Sequence, residues 1–138
     1  QINHSQTNKK GAVRGMHFQN PPMAETKMVK CLRGSVYDVI IDLRKGSETF
    51  LKCHGETLSS ENRCMIYIPE GFAHGFQTLE PNCELLYFHT ENYCPDFEET
   101  IRYDDPRVGI NWPLDVTEIS EKDKNHPFLS GNYKGIVF

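Results

Sequence analysis

The residues of this sequence that could do chemistry include a histidine and a lysine on neighbouring predicted strands. His17 stands in the run RGMHFQ at 14–19, and Lys27 follows a Pro-Pro pair. Side chains two apart on a strand share a face, so His17 and Gln19 can lie together. Lys27 can lie beside them if the Pro-Pro turn folds the next strand against the first. Strict alternation places Arg14 on the opposite face of its strand. An imidazole base beside an ammonium suits removal of a proton next to a carbonyl, because the cation stabilises the enolate oxygen. Taken alone, a histidine beside an arginine is more often structural.

A second histidine ends a run typical of certain β-barrels. Residues 69–74 read Pro-x-Gly-x-x-His, which resembles the second signature of the cupin barrels. In metal-binding cupins this histidine joins ligands from an earlier run with His-x-His and a glutamate, since a catalytic metal needs about three protein ligands. That run is absent and the other histidines stand singly, so we expect no metal site and place His74 in a pocket wall. The alternative is a core histidine hydrogen-bonded to the backbone.

The elements that must position these residues are mainly strands. Short segments rich in β-branched and aromatic residues alternate with Gly, Pro and short polar residues, the pattern of an all-β sandwich or barrel. The predicted strands are 27–32, 35–43, 49–58, 63–69, 74–79 and 83–90. Residues 92–115 indicate an ordered loop with short strands, and Ser120 followed by Asp123 is a capping pattern for a short helix at 119–124.

Composition excludes several function classes. The chain has 138 residues, which suits one domain. Its 15 Lys and Arg against 19 Asp and Glu give a net charge of −4, which disfavours general binding to nucleic-acid backbones. No apolar run approaches the roughly 20 residues of a membrane span. The five cysteines lack the spacing of zinc or redox motifs, so we expect reduced, buried thiols in a cytoplasmic protein.

Four blocks of sequence, read in order, resemble the dTDP-4-dehydrorhamnose 3,5-epimerase family. They are residues 14–44, 59–79, 84–114 and 119–129, and the similarity runs from Gln1 to about Leu129. The most distinctive parts are RGMHFQ with the downstream lysine, IPEGFAHGF, and the run DDPRVGINWP at 104–113. The resemblance implies an all-β, cupin-like jelly-roll barrel with a short C-terminal helical segment that works as a homodimer. It also implies epimerisation at C3 and C5 of a dTDP-linked 4-keto-6-deoxyhexose in the biosynthesis of rhamnose or a related deoxysugar, without metal or nicotinamide.

The resemblance implies roles for individual residues. His17 matches the catalytic base, Asp123 the carboxylate that pairs with it, and Tyr87 the acid on the opposite face of the sugar, while Lys27 supplies the cation for the enolate oxygen. Arg14, Lys27, His74, Glu98 and Lys122 match substrate contacts of the family. Gln1 and Asn3 match part of its nucleotide-binding strand, and Tyr93 matches an aromatic ring that stacks on the base. Without the resemblance, Tyr87 is interpreted as a core tyrosine and Asp123 as the acid of a helix cap.

Some positions depart from the family's pattern. Glu25 stands where the family commonly has Gln, and Phe88 stands where Lys is common. The family usually has a further strand before the position of Gln1 that reaches across the dimer, and we expect residues 1–138 to be a single cupin-like epimerase domain without it. Two alternatives stay open: an enzyme that epimerises one centre or isomerises the keto group, and a sugar-nucleotide-binding module without turnover.

Overall fold

Nine strands and one short helix make up the protein, seen in a computed structural model that describes all of residues 1–138. The elements are β1 (Ile2–Thr7), β2 (Val13–Gln19), β3 (Lys27–Arg33), β4 (Ser35–Asp42), β5 (Cys53–Ser59), β6 (Met65–Ile68), β7 (Phe72–Thr78), β8 (Cys83–His89), β9 (Glu98–Thr100) and α1 (Glu121–Asn125). The all-β prediction is confirmed. The structure contains no helix long and apolar enough to span a membrane.

The strands form two antiparallel sheets that face each other. The four-stranded sheet has the order β1-β8-β3-β6, and the five-stranded sheet has the order β5-β4-β7-β2-β9. Since β2 belongs to one sheet and β3 to the other, the Pro-Pro turn between them carries the chain across the barrel. The site residues therefore reach its interior from both sides.

Two apolar clusters hold this arrangement together. One lies between the sheets, where Val29 of β3 packs with Val36 and Phe76 of the five-stranded sheet. The other covers the outer face of the five-stranded sheet, where Ile41 packs with Ile136 from the C-terminal segment. Because this segment buries the outer face of the five-stranded sheet, the inner face can carry polar side chains around a cavity.

Most strand boundaries agree with the sequence prediction, and the differences are at the turn before β5 and at the edge strand β1. Five predicted strands match β3, β4, β6, β7 and β8 to within two residues. The strand predicted from residue 49 begins at Cys53, because backbone hydrogen bonds from Phe50 to Ser47 and from Lys52 to Thr49 fold the preceding residues into turns. The polar β1 was not predicted, since an edge strand that is mostly exposed lacks the apolar alternation used to find strands.

The cysteines are free thiols, but the expectation that all are buried was wrong. Cys31 and Cys83 are buried in the cluster between the sheets, whereas Cys53 and Cys64 are exposed. Cys53 is the first residue of the edge strand β5, and Cys64 lies in the connection between β5 and β6, so both side chains reach solvent. Burial raises the pKa of the Cys31 thiol to about 11, which keeps it unreactive.

Candidate active site

A cavity of about 220 Å³ opens between the two sheets. Nine of the eleven site residues predicted from the sequence line it, namely Gln1, Asn3, Arg14, His17, Lys27, His74, Tyr87, Tyr93 and Glu98. The other two, Lys122 and Asp123, lie on α1 and reach lining residues through hydrogen bonds. Strands from both sheets and the C-terminal helix thus bring all eleven together.

An irregularity in β2 turns three of its side chains towards the cavity. Arg14, His17 and Gln19 all line it, although strict alternation predicts that Arg14 points away. The pairing of β2 with β7 shifts register between Arg14 and His17, and such a shift reverses the alternation beyond it, so that expectation was wrong. The strands approach closely at Gly75, where a Cβ would lie 2.6 Å from the carbonyl oxygen of Arg14.

His17 is held from behind by a buried carboxylate. Its Nε2 lies 2.7 Å from Oδ1 of Asp123, which is 2% exposed. The predicted cap positions this acid, because Ser120 Oγ accepts a hydrogen bond from the backbone N–H of Asp123 at 3.1 Å. Burial opposes ionisation, but the hydrogen bonds of His17, Ser120 and the Gly15 backbone outweigh it and hold the pKa of Asp123 below its usual value. A carboxylate only accepts, so Nε2 carries a proton and Nδ1 is left as the base.

Lys27 reaches the cavity from the opposite sheet. Its strand, β3, pairs with β6 and β8, so the expectation that the Pro-Pro turn folds β3 against β2 was wrong. The turn takes the chain to the other sheet instead, so Lys27 and His17 line the cavity from opposite sheets. Lys27 Nζ donates to Glu25 Oε1 at 2.9 Å, and both side chains are almost fully buried.

Tyr87 lies beside a second pair of histidine and carboxylate. Its hydroxyl accepts a hydrogen bond from Ser5 Oγ at 3.2 Å, and burial raises the pKa of the phenol well above its usual value, so it keeps its proton. The ring of His74 meets it edge to face with centroids 6.3 Å apart. His74 Nε2 lies 2.8 Å from Asp38 Oδ2, so this histidine lines the cavity and its ring partner is a carboxylate rather than the backbone.

Polar residues surround the mouth of the cavity. Glu98 Oε2 accepts hydrogen bonds from Lys122 Nζ and, at 3.1 Å, from the hydroxyl of Tyr93. Burial opposes ionisation of Glu98, but the hydrogen bonds from Lys122 and Tyr93 and the charge of Lys122 hold its pKa below the usual value. Gln1 Oε1 accepts from the backbone N–H of Tyr93 at 2.9 Å, which joins the residue before β1 to this rim. The Tyr93 ring is 54% exposed and is open for stacking.

Comparison with known proteins gives a match over most of the chain. The family model described as dTDP-4-dehydrorhamnose 3,5-epimerase matches residues 1–131. The chain belongs to this epimerase family. A relative from Salmonella typhimurium, named dTDP-4-dehydrorhamnose 3,5-epimerase, is 46% identical over 130 residues, which cover 94% of this chain and 70% of that protein.

Solved structures of epimerase-family members share the fold. The dTDP-4-dehydrorhamnose 3,5-epimerase from Bacillus anthracis, solved with TDP and PPi bound, is 40% identical with a TM-score of 0.91, over 94% of this chain and 74% of that one. The dTDP-6-deoxy-D-glucose-3,5-epimerase from Legionella pneumophila, in complex with dTDP-4-keto-L-rhamnose, is 42% identical with a TM-score of 0.84, over 89% of this chain and 65% of that one. The cupin-like architecture predicted from the sequence is confirmed by these likenesses.

Three cavity or near-cavity residues of this epimerase-family chain were not singled out as site residues from the sequence. Glu25 and His89 lie two positions from Lys27 and Tyr87 respectively, and residues two apart on an extended chain share a face, so this spacing was the available signal. Asp38 interrupts the apolar run of β4 as a fully buried charge, which needs a partner and finds it in His74.

The arrangement combines a base, a cation and an acid around one space. His17 is backed by Asp123, Lys27 faces it from the opposite sheet, and Tyr87 retains a proton in the wall between β1 and β3. No group of three or more His, Cys, Asp or Glu side chains is arranged to hold a metal ion. These groups can move protons on a bound carbonyl compound.

Proposed function

We propose that the chain epimerises a dTDP-linked 4-keto-6-deoxyhexose at C3 and C5, as its relatives' names describe. The observation that carries the proposal is that His17, backed by Asp123, and Lys27 reach one cavity from opposite sheets. A hydrogen next to the C4 ketone is too weakly acidic for a side-chain base unless the enolate oxygen is stabilised, so base and cation must act together. This pair supplies both.

The reaction moves protons and leaves the oxidation state unchanged. His17 Nδ1 removes the proton from C3 or C5. The electron pair of the broken C–H bond forms the enolate with C4, and the Lys27 ammonium stabilises the negative charge on O4. A proton then returns to the same carbon from the opposite face, and Tyr87, which burial keeps protonated, is the donor. Exchange with water deprotonates His17 and reprotonates Tyr87.

The remaining predicted contacts suit the other end of the substrate. Arg14 lines the cavity beside His17, and Lys122 lies at its rim, so two cations are available for a diphosphate. The exposed ring of Tyr93 can stack on a nucleobase, with Gln1 and Asn3 beside it. The bound TDP and dTDP-4-keto-L-rhamnose of the two solved relatives support a nucleotide sugar as the ligand.

Incubation with dTDP-4-keto-6-deoxyglucose in deuterated water tests the proposal. NMR of the product reports each carbon that gains deuterium, and we expect label at both C3 and C5. Label at one carbon alone would assign a single-centre epimerase. No label at either carbon, with the nucleotide sugar still bound in calorimetry, would replace the proposal with a binding module.

We also propose that residues 1–138 form one domain that pairs with a second copy through the outer face of the four-stranded sheet. Ile2 lies opposite Phe88, Phe88 opposite Met28, and Met28 opposite Tyr67, so one apolar row crosses all four strands. Ile2 and Tyr67 are 67% and 62% exposed. A contiguous apolar row on a sheet face is typical of an interface, and an identical row on a second copy is complementary to it.

Light scattering after gel filtration tests the pairing. We expect a dimer for the parent chain and a monomer for the double variant Met28→Lys and Tyr67→Lys, because two buried charges would oppose each other across the interface. The matched control is the double variant His54→Lys and Glu56→Lys on the exposed edge strand β5, which should remain a dimer. A monomeric parent at all concentrations would overturn the proposal.

A further inference from the structure

One carboxylate inside the cavity joins two nitrogen-bearing side chains. Glu25 Oε1 accepts a hydrogen bond from Lys27 Nζ at 2.9 Å, and Glu25 Oε2 lies 2.8 Å from His89 Nδ1. The side chains of Glu25, Lys27 and His89 are 8%, 9% and 13% exposed, and all three line the cavity. Three ionisable groups this deeply buried need mutual hydrogen bonds, and the shared carboxylate provides them.

The carboxylate determines which nitrogen of His89 carries the proton. Burial opposes ionisation of Glu25, but the hydrogen bonds from His89 and Lys27 and the charge of Lys27 outweigh it and hold the pKa of Glu25 below its usual value. An ionised carboxylate can only accept, so His89 Nδ1 must donate. In the neutral imidazole, Nε2 is then a hydrogen-bond acceptor.

This acceptor has no partner within the protein. His89 Nε2 is buried and makes no hydrogen bond, although buried polar atoms of side chains nearly always find one. The ring itself is held in place, since it stacks on Tyr87 with centroids 6.0 Å apart. A fixed and unpartnered acceptor on a residue that lines the cavity is suited to a donor on a ligand.

The donor and the acceptor stand side by side. Lys27 and His89 are directly opposite each other in the pairing of β3 with β8, and both bind the same carboxylate. The pair therefore presents an ammonium donor next to an imidazole acceptor. A ketone oxygen accepts a hydrogen bond from the ammonium, and a hydroxyl on the neighbouring carbon donates one to the imidazole. The chemical unit that fits is therefore an α-hydroxyketone.

We propose that His89 Nε2 accepts the hydrogen bond of the sugar hydroxyl next to the ketone, and that Glu25 is the positioning residue that sets this acceptor beside Lys27. The substrate class rests on the proposed function, in which Lys27 stabilises O4 and the neighbouring hydroxyl is the one on C3. The pair makes the enzyme select sugars that carry this hydroxyl, while the N–H groups of Lys27 that do not bind Glu25 stabilise the enolate.

The protonation of His89 can be tested without any activity. In ¹⁵N NMR at alkaline pH, where imidazoles are neutral, we expect the proton of His89 on Nδ1. In Glu25→Gln the amide oxygen faces Lys27 and the amide NH₂ faces His89, so the proton should move to Nε2. Glu61→Gln, an exposed glutamate in a turn, is the matched control and should leave the tautomer unchanged. A proton on Nε2 in the parent chain would overturn the proposal.

The contact with the hydroxyl is tested by a cycle of two substrates and two proteins. The substrates are dTDP-4-keto-6-deoxyglucose and its analogue without the C3 hydroxyl, and the readout is deuterium exchange at C5, which both retain. We expect the parent chain to favour the first substrate roughly tenfold in kcat/KM, and His89→Phe, which keeps the ring stacked on Tyr87, to lose this preference. The exposed control His54→Phe should discriminate as the parent does.

The outcomes separate the two proposals. Equal discrimination by the parent and by His89→Phe would overturn the role of His89 while leaving the epimerase proposal intact. If the parent shows no exchange with either substrate, the epimerase proposal fails. Calorimetry then measures Kd for the same two substrates with the parent and with His89→Phe, and this comparison tests the contact between His89 and the C3 hydroxyl. A tenfold preference in Kd that disappears in His89→Phe would support it, and an unchanged preference would contradict it.

Discussion

The imidazole of His17 and the carboxylate of Asp123 lie 2.7 Å apart although 106 positions separate them in the chain. The contact closes the C-terminal segment onto β2, because the cap at Ser120 fixes the first turn of α1 where its third residue faces the histidine. The same contact selects the nitrogen of His17 that faces the substrate in the proposed reaction.

Replacing Asp123 with Asn should slow exchange at both carbons by about 10²–10⁴-fold, the range of general acid–base catalysis. The amide can donate to Nε2 of His17 and so favours the tautomer with the proton on Nδ1, which is no longer a base. Rates of deuterium uptake at C3 and C5 measure the effect. Lys124→Gln, an exposed change on the same helix, should leave them unchanged; a rate for Asp123→Asn near the parent's would show that the carboxylate serves only the helix.

Replacing His17 with Asn should keep the fold and stop exchange at both carbons, because the amide matches part of the imidazole in shape but is not basic. Mass spectrometry of the sugar after incubation in deuterated water gives the rate, and thermal unfolding reports on the fold. The matched control is His54→Asn on the exposed edge strand. Exchange within tenfold of the parent's would reject His17 as the base.

Replacing Tyr87 with Phe should separate exchange from inversion. The base and the cation remain, so deuterium should still enter at C3, but little inverted product should form because no acid lies on the opposite face. NMR of recovered substrate and product measures both. Tyr103→Phe, at a partly buried tyrosine that does not line the cavity, should behave as the parent. Product at the parent's rate from Tyr87→Phe would make Tyr87 a packing residue of the core.

The buried carboxylate of Asp42 should dominate the acid sensitivity of the fold. It accepts hydrogen bonds from the side chain and backbone N–H of Arg44 and from the hydroxyls of Ser47 and Thr49, and these outweigh burial and hold its pKa far below the usual value. The folded state therefore binds this proton more weakly than the unfolded state. Its stabilisation is complete above the ordinary carboxyl pKa of about 3.9 and is lost as the pH falls below it.

Urea unfolding of Asp42→Asn measures this contribution. We expect a loss of about 2–3 kcal/mol at neutral pH, because the amide cannot accept from all of the donors that now surround the carboxylate. The difference from the parent should shrink near pH 3. Asp104→Asn, which removes the partially exposed partner of Arg102, should cost less than about 1 kcal/mol. An equal loss in the two variants would show that the buried network adds nothing special.

Local patterns were enough to predict most strands and a few cavity residues, whereas the roles of Tyr87 and Asp123 came only from the resemblance to the epimerase family. Alternating apolar residues and turn residues predicted β3, β4, β6, β7 and β8, and the runs around His17 and His74 predicted cavity residues. What stayed hidden depends on contacts distant in sequence. The register shift in β2 arises in its pairing with β7, and the pair of Glu25 and His89 exists only because Lys27 lies opposite His89. No window along the chain contains both partners.

The base and the cation stand on different sheets, and side chains such as Val29, Val36 and Phe76 between the sheets set how far apart they are. Hydrogen bonds within either sheet do not fix that distance. Warming or mild denaturant that loosens the contact between the sheets will therefore abolish turnover while each sheet keeps its backbone pairing. The temperature at which activity disappears will lie below the one at which far-ultraviolet circular dichroism changes, and substitutions that tighten this contact will bring the two temperatures together.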